Sequence, residues 1–245
     1  MMDTCEAEAT KITSERDSLE NHARNLGADL FGVADLGLFQ PYDGVDVSLL
    51  SFPFGISIGM RLSDAILERI TVEDPTPEYA FHYKAANALL DDIALRITGR
   101  IQKEGYAALP IPASQITREA LHQGAISHKA IAAIAGLGWI GKSQLLINPR
   151  FGPRLRFSSV LTTMPMKAGE PLKNGCGACE ECAKACPTGA IKPGEVMKEK
   201  WVREDVFDPD ACYNRLITFR DNPRYSASIC GICVKVCPFG RKQSR

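Results

Sequence analysis

With 245 residues and 45% apolar content, the chain can bury one sizeable core and carry a small second unit. Lys plus Arg and Asp plus Glu both number 29, giving a formal net charge of zero, so no strong general affinity for nucleic acid or for an anionic membrane is implied. The start, Met1 to Glu8, is acidic and polar rather than a secretory or twin-arginine leader, and no apolar run is long enough to span a bilayer. A cytoplasmic protein with no membrane partner is expected.

In chain order, Thr13 to Leu26 reads as a helix, with Leu19, Ala23 and Leu26 on one stripe and Gly27 just past its end. Leu30 to Ala34 suits a short strand, and Pro41 to Gly44 a turn. Val47 to Ile58 leans towards β structure but is broken by Pro53 and Gly55, and Ser63 to Ile70 suits a short helix capped by Ser63. The best-defined helix runs from Pro77 to Glu104. Thr76 is placed to cap it, Pro77 suits its first turn, and Tyr79, Tyr83, Ala86, Leu90, Ile93, Ile97 and Ile101 recur at threes and fours.

Tyr106 to Ser114 holds two prolines and should be extended. Ala125 to Ala135 is an alanine-rich helix ended by Gly136. Gln144 to Ile147 and Leu155 to Thr163 read as two strands of a hairpin, joined by Asn148 to Pro153. Thr162 to Asn174 has the proline and glycine content of a domain boundary. The expected division is an α/β domain over residues 1–168 and a cysteine-rich domain over 169–245.

The cysteines carry the chemistry. Cys176, Cys179, Cys182 and Cys186, followed by Pro187, form the bacterial [4Fe–4S] run C-x2-C-x2-C-x3-C-P. Cysteine at every third position of a tight loop lets three thiolates reach three corners of a cubane, while the fourth points away. Cys230, Cys233 and Cys237, followed by Pro238, repeat the end of that run one cysteine short, and Cys212 makes up the number. In two-cluster ferredoxins the fourth cysteine of each run serves the other cluster. The expected ligands are therefore Cys176, Cys179, Cys182 and Cys237 for one cluster, and Cys186, Cys212, Cys230 and Cys233 for the other, leaving Cys5 over. Zinc would leave the continuous triplet and the two Cys-Pro endings unexplained. Disulfides suit small secreted proteins, and the cysteine count here is odd.

Between the α/β elements lies a glycine-rich stretch: Gly136, Gly138, Trp139, Ile140, Gly141, Lys142 and Ser143. Read from Gly136 it satisfies G-x-G-x-x-G, but a helix precedes it and a strand follows, the reverse of a dinucleotide fold. On chemistry alone it is either a backbone-exposing loop for a large planar cofactor or a simple helix-to-strand connection.

The run from Ala135 to Asn148, followed by the double cysteine pattern, resembles epoxyqueuosine reductase. The similarity extends to Cys212-Tyr-Asn and to Cys230 through Phe239, and more faintly to Gly27 through Ala34 and Tyr79 through Tyr83. That family and its relatives the reductive dehalogenases carry cobalamin on a nitroreductase-like α/β domain beside two [4Fe–4S] clusters. The resemblance thus implies an α+β fold, a nitroreductase-like domain followed by a small bacterial-ferredoxin-like domain. It also implies cobalamin between the Gly136–Ser143 loop and the nearer cluster, with flavin as the alternative on such a scaffold.

Two departures bear on the substrate. The family usually continues into a C-terminal helical-repeat region that helps hold tRNA, whereas this chain stops at Arg245. The family's aspartate proton donor corresponds by ungapped counting to His122, which is a workable acid near neutral pH. The expected activity is that of an oxidoreductase passing electrons from a low-potential donor, such as ferredoxin or flavodoxin, to a corrinoid that reduces an unidentified small molecule. The alternatives are epoxyqueuosine reduction on tRNA and an electron-transfer partner that reactivates another protein's corrinoid. Of the other polar groups, His82 and Tyr83 suit core packing or the lining of the same pocket, His128 suits a surface or core histidine bonded to backbone, and Arg150, Arg154 and Arg156 suit a solvated turn, a phosphate or the amide-rich edge of the cofactor.

Overall fold

The structure, a computed structural model, describes residues 4–42, 45–117, 123–194 and 203–241. Its elements in order are α1 (Thr4–Asn25), β1 (Leu30–Asp35), β2 (Phe54–Arg61), α2 (Asp64–Leu67), α3 (Pro77–Lys103), β3 (Ala108–Ile111), α4 (His128–Ile134), β4 (Trp139–Ile140), β5 (Leu146–Ile147), β6 (Leu155–Thr162), α5 (Glu181–Ala185), α6 (Pro209–Arg220) and α7 (Ile232–Val236), with single 3₁₀ turns at Leu36–Leu38, Val47–Ser51 and Arg203–Asp205. No helix among the described residues is long and apolar enough to cross a membrane. The chain packs as two compact units, neither of them one continuous stretch. The first draws on residues up to Met60, Asn87–Leu137 and Phe157–Leu172; the second on Arg61–Ala86, Gly138–Arg156 and Lys173–Arg245.

The first unit is built on a four-stranded sheet of order β1-β2-β6-β3. β1 and β2 pair antiparallel with Leu30 opposite Gly59 and Asp35 opposite Phe54, and β3 pairs antiparallel with β6. Five consecutive residues of the inner strand β2, Gly55 to Gly59, are buried. Against the sheet lies the apolar stripe of α3, where Leu90, Ile93, Ile97 and Ile101 are all fully buried beside Val33, Ile56, Ile58 and Val160. The helical period of that stripe is what puts those four side chains on one face. A second apolar group joins α4 and the 3₁₀ turns through Ile131, Leu36, Phe39 and Leu49.

Several elements depart from the sequence expectations, each for a local reason. α1 begins at Thr4 rather than near Thr13. Val47–Ser51 is a 3₁₀ turn, because Asp46 accepts the Ser48 N–H and so offers the backbone a tight cap in place of a strand partner; β2 starts only past Pro53. Ser63 occupies the first position before α2 but makes no side-chain cap there. Its backbone N–H is instead accepted by Nε2 of His82 at 3.0 Å, and burial holds the His82 imidazole below its ordinary pKa, in keeping with a neutral acceptor. Thr76 caps α3 as expected, accepting the Tyr79 N–H at 3.2 Å. The hairpin expected between β5 and β6 does not form. β5 pairs instead with β4, Trp139 opposite Ile147 and Ile140 opposite Leu146, while β6 joins the large sheet. Asp43, Gly44 and His122 lie outside the described residues.

Ile97 has no solvent exposure, so Ile97→Ala should destabilise the protein by about 2–5 kcal/mol through lost transfer energy and the cavity left behind. The shift in urea midpoint, followed by circular dichroism, measures it; an unchanged midpoint would contradict the packing of α3 described here.

Candidate metal centre

The second unit holds the seven cysteines of the two runs and Cys212 between them, each a free, half-buried thiol. Cys176, Cys179, Cys182 and Cys237 line one cavity together with Lys142, Ser143, Ile147, Pro238 and Phe239; it measures about 340 Å³, including the space open to solvent. The first three come from one loop and the start of α5, the fourth from the end of α7. α5 and α7 pack against each other, which brings the end of the second run to the first. Among the described residues no three or more His, Cys, Asp or Glu side chains converge tightly enough for a single metal ion. The four sulfurs instead ring a space.

The hairpin β4–β5 braces this ring. The indole N–H of Trp139 donates to Sγ of Cys176 at 3.5 Å, and its ring meets Phe239 edge-on, centroids 5.1 Å apart. Gly175 lies so close to that indole that a Cβ there would sit 2.8 Å from it. Asn174 ties the same corner twice: its amide donates to the Ile140 carbonyl at 2.8 Å and its oxygen accepts the Cys176 N–H at 2.9 Å. Gly138 is needed because a Cβ would stand 2.3 Å from the Ile147 carbonyl oxygen across the hairpin. Gly141 faces a side chain instead: a Cβ there would stand 2.6 Å from Ile147 Cγ1 and 3.3 Å from the Cys176 sulfur. Trp139, Lys142 and Ser143 are each 7% exposed.

A second close approach fixes the chain after Cys237. Gly152 and Gly240, both with positive φ, press backbone to backbone; a Cβ on Gly152 would lie 1.9 Å from the Phe239 carbonyl oxygen. Arg154 holds α7 from the other side. It is 1% exposed, and its guanidinium pairs with Asp64 at 3.1 Å and Glu68 at 2.8 Å on α2 and donates to the Lys235 carbonyl at 3.2 Å. Lys235, between Cys233 and Cys237, returns its ammonium to the Glu68 and Ile70 carbonyls. Arg154 is therefore neither a solvated turn residue nor a phosphate ligand, as the sequence had suggested; its charge is consumed by α2.

Cys186, Cys212, Cys230 and Cys233 lie at the end of α5, in the first turn of α6 and around the start of α7. Electrostatics separates the two sets. Burial pushes the Cys237 thiol up to about 11 against the hydrogen bond from the Phe239 N–H, with Cys176, Cys182 and Cys179 adding their repulsion. Burial also raises Cys182, again with Cys176 and Cys179 as neighbours. The Cys233 thiol is raised by burial and then by Cys230 and Cys212, with Cys182 and Cys186 behind them. Cys186 runs the other way: burial pushes it up, but the Thr188 hydroxyl and the N–H groups of Ile191, Thr188 and Ala190 outweigh it and lower the thiol. Converging donors of this kind hold a thiolate in place. Tyr79, buried next to Gly231, has its hydroxyl pKa raised by burial, with Cys233 and Cys230 among the smaller contributors. Tyr83 stacks under Arg156 at 4.3 Å and accepts from it at 3.2 Å.

Residues 175–240 match the family model of the 4Fe-4S double cluster binding domain, a span that includes all eight of these cysteines. The chain is 33% identical over 172 residues to the epoxyqueuosine reductase of Salmonella typhimurium, covering 70% of this chain and 43% of that protein. It is 32% identical over 126 residues to that of Listeria monocytogenes, covering 48% and 31%. This chain is similar to the epoxyqueuosine reductases. It spans less than half the length of these two curated relatives. Among solved structures, a catabolic reductive dehalogenase in complex with 3-bromo-4-hydroxybenzoic acid superposes with a TM-score of 0.74 at 24% identity, over 94% of this chain and 32% of that one. At that identity the likeness speaks for the fold alone.

Of the residues expected at the site, Trp139, Lys142, Ser143 and the eight cysteines lie in the second unit, with Gly138, Ile140 and Gly141 in the same hairpin; Gly136 belongs to the first unit, where a Cβ would meet the Glu170 carbonyl oxygen at 2.5 Å. His128, in the first unit, sits between the Ser159 hydroxyl and the Pro112 carbonyl. Sequence reasoning missed Asn174 and the Asp64–Arg154–Glu68 cluster. The only available hint was the pair of carboxylates one turn apart on α2. Arg154→Met leaves two carboxylates without their buried cation and should cost about 3 kcal/mol, the low end for a broken buried pair because both carboxylates reach solvent. Thermal denaturation of the variant tests this; a loss below about 1 kcal/mol would show the cluster to be dispensable.

Proposed function

We propose that the chain is an iron–sulfur oxidoreductase holding two [4Fe–4S] clusters with crossed ligands: Cys176, Cys179, Cys182 and Cys237 for the first, and Cys186, Cys212, Cys230 and Cys233 for the second. The observation that carries this is the single cavity walled by three cysteines of the first run and the last cysteine of the second. Thiols buried together repel one another as they ionise, and a cationic iron–sulfur core relieves that repulsion. The clusters, when bound, supply one-electron transfer. The protein's part is to hold the thiolates and brace them through Trp139 and Asn174.

For the substrate, the reading best supported is epoxyqueuosine in tRNA. The curated relatives at 28–35% identity are epoxyqueuosine reductases. One similar structure is an epoxyqueuosine reductase with a modified tRNA-Tyr stem loop, at a TM-score of 0.62 and 17% identity. The second reading is a corrinoid enzyme for a small molecule, which the shared fold with the reductive dehalogenase accommodates. Both keep a nitroreductase-like first domain over residues 1–168, a cluster domain over 169–245, a low-potential donor such as ferredoxin or flavodoxin, and His122 as proton donor. A corrinoid, when bound, supplies low-valent cobalt; flavin is the alternative group.

Anaerobic reconstitution should give about eight irons per chain. Cys237→Ser should perturb the same electron paramagnetic resonance signal as Cys176→Ser, and Cys186→Ser the same signal as Cys233→Ser. If each serine variant instead perturbs the signal of its own run, the crossed assignment fails. Reduction of epoxyqueuosine-containing tRNA by the loaded protein decides between the two substrates. The visible spectrum after anaerobic loading distinguishes corrinoid from flavin.

A further inference from the structure

We propose that the β4–β5 hairpin raises the reduction potential of the cluster held by Cys176, Cys179, Cys182 and Cys237 through Lys142 and Trp139, so that electrons collect on that cluster. The inference rests on the ligand assignment above. Two independent observations support it. Lys142 lines the four-cysteine cavity, is only 7% exposed, and has no hydrogen bond or ion pair among the described residues. The cavity lining contains no carboxylate to cancel its charge. Separately, the Trp139 indole N–H donates to Sγ of Cys176 at 3.5 Å.

A four-thiolate cubane is anionic, and it becomes more so when it takes up one electron from an external low-potential donor, which is oxidised by one electron. A cation beside it stabilises the reduced form more than the oxidised form, and burial keeps that interaction from being screened. An N–H bonded to a ligand sulfur acts in the same sense, since charge builds up on the sulfurs. Lys142 lies within one tight turn and Trp139 in the strand that enters it; in that turn the Gly141 N–H bonds the Leu145 carbonyl at 2.9 Å and the Gln144 N–H bonds that of Gly141 at 2.9 Å. The two lysines within two residues of a ligand are already engaged: Lys235 donates to two backbone carbonyls, and Lys184 is an exposed residue facing Glu181.

The test is anaerobic redox titration followed by electron paramagnetic resonance, with sodium dithionite as reductant, on the full chain carrying both clusters. Iron content is checked first. If the wild-type protein binds no clusters, the functional reading fails and takes this one with it. With clusters present, Lys142→Met should shift one of the two midpoints down by at least a tenfold change in equilibrium constant, about 59 mV for a one-electron couple, and leave the other nearly unmoved. Lys142→Arg should restore it, and Trp139→Phe should lower the same midpoint. Should Lys142→Met lose its cluster, Lys142→Arg and Trp139→Phe still decide the matter. Unmoved midpoints, equal movement of both, or no restoration by arginine would overturn the proposal with the cluster assignment left standing.

Discussion

Four thiolates around one cavity are unfavourable unless a positive core sits among them, and the contacts that brace the second unit bear on that constraint. Burial, with a smaller push from its three cysteine neighbours, raises Cys237 to about 11. Thiols raised in this way stay protonated near neutral pH and give up their protons to a positive core, so the surrounding fold has to set their positions. The stiffness here comes from backbone contacts too close for any side chain, at Gly138 against Ile147 and at Gly152 against Gly240, and from charge buried behind α7 at Arg154.

The brace is asymmetric. One thiol set is gripped by a hairpin that contributes an indole N–H and a nearly buried lysine. The other is gripped by helix ends: Cys186 accepts from a hydroxyl and several backbone N–H groups, and Tyr79 is packed against the turn that carries Cys230 and Cys233. Under the proposed assignment, two chemically similar ligand sets would thus sit in different dielectric and hydrogen-bonding surroundings. The first unit has a different architecture, a twisted four-stranded sheet whose core is the apolar stripe of α3.

From its residues alone the glycine-rich loop had two readings, a backbone opened towards a planar cofactor or a plain helix-to-strand connection. In the structure Gly138 admits the Ile147 carbonyl, and Gly141 admits the Ile147 side chain with the Cys176 sulfur beyond it. The residues with chemical reach are the neighbouring non-glycines, Trp139 and Lys142. Arg154 was misjudged: placed by sequence at an exposed turn, it is among the most buried side chains, because Asp64 and Glu68 present their carboxylates to it from α2 and its C-terminal cap, 86 to 90 residues earlier.

Local chemistry settled much of this protein before any folding was considered. The 3.6-residue stripe made α3 visible from Pro77 to within a residue of its end, the short apolar run gave β1, and cysteine spacing named the sulfurs able to carry a cluster. These features depend on neighbours within a few positions, where hydrogen-bond geometry and side-chain period are written into residue order. Only the tertiary structure decided that β4 rather than β6 partners β5, that α2 neutralises Arg154, and that Trp139 and Asn174 clasp Cys176. Those contacts join segments separated along the chain, and no local periodicity reports which distant surface a residue will meet.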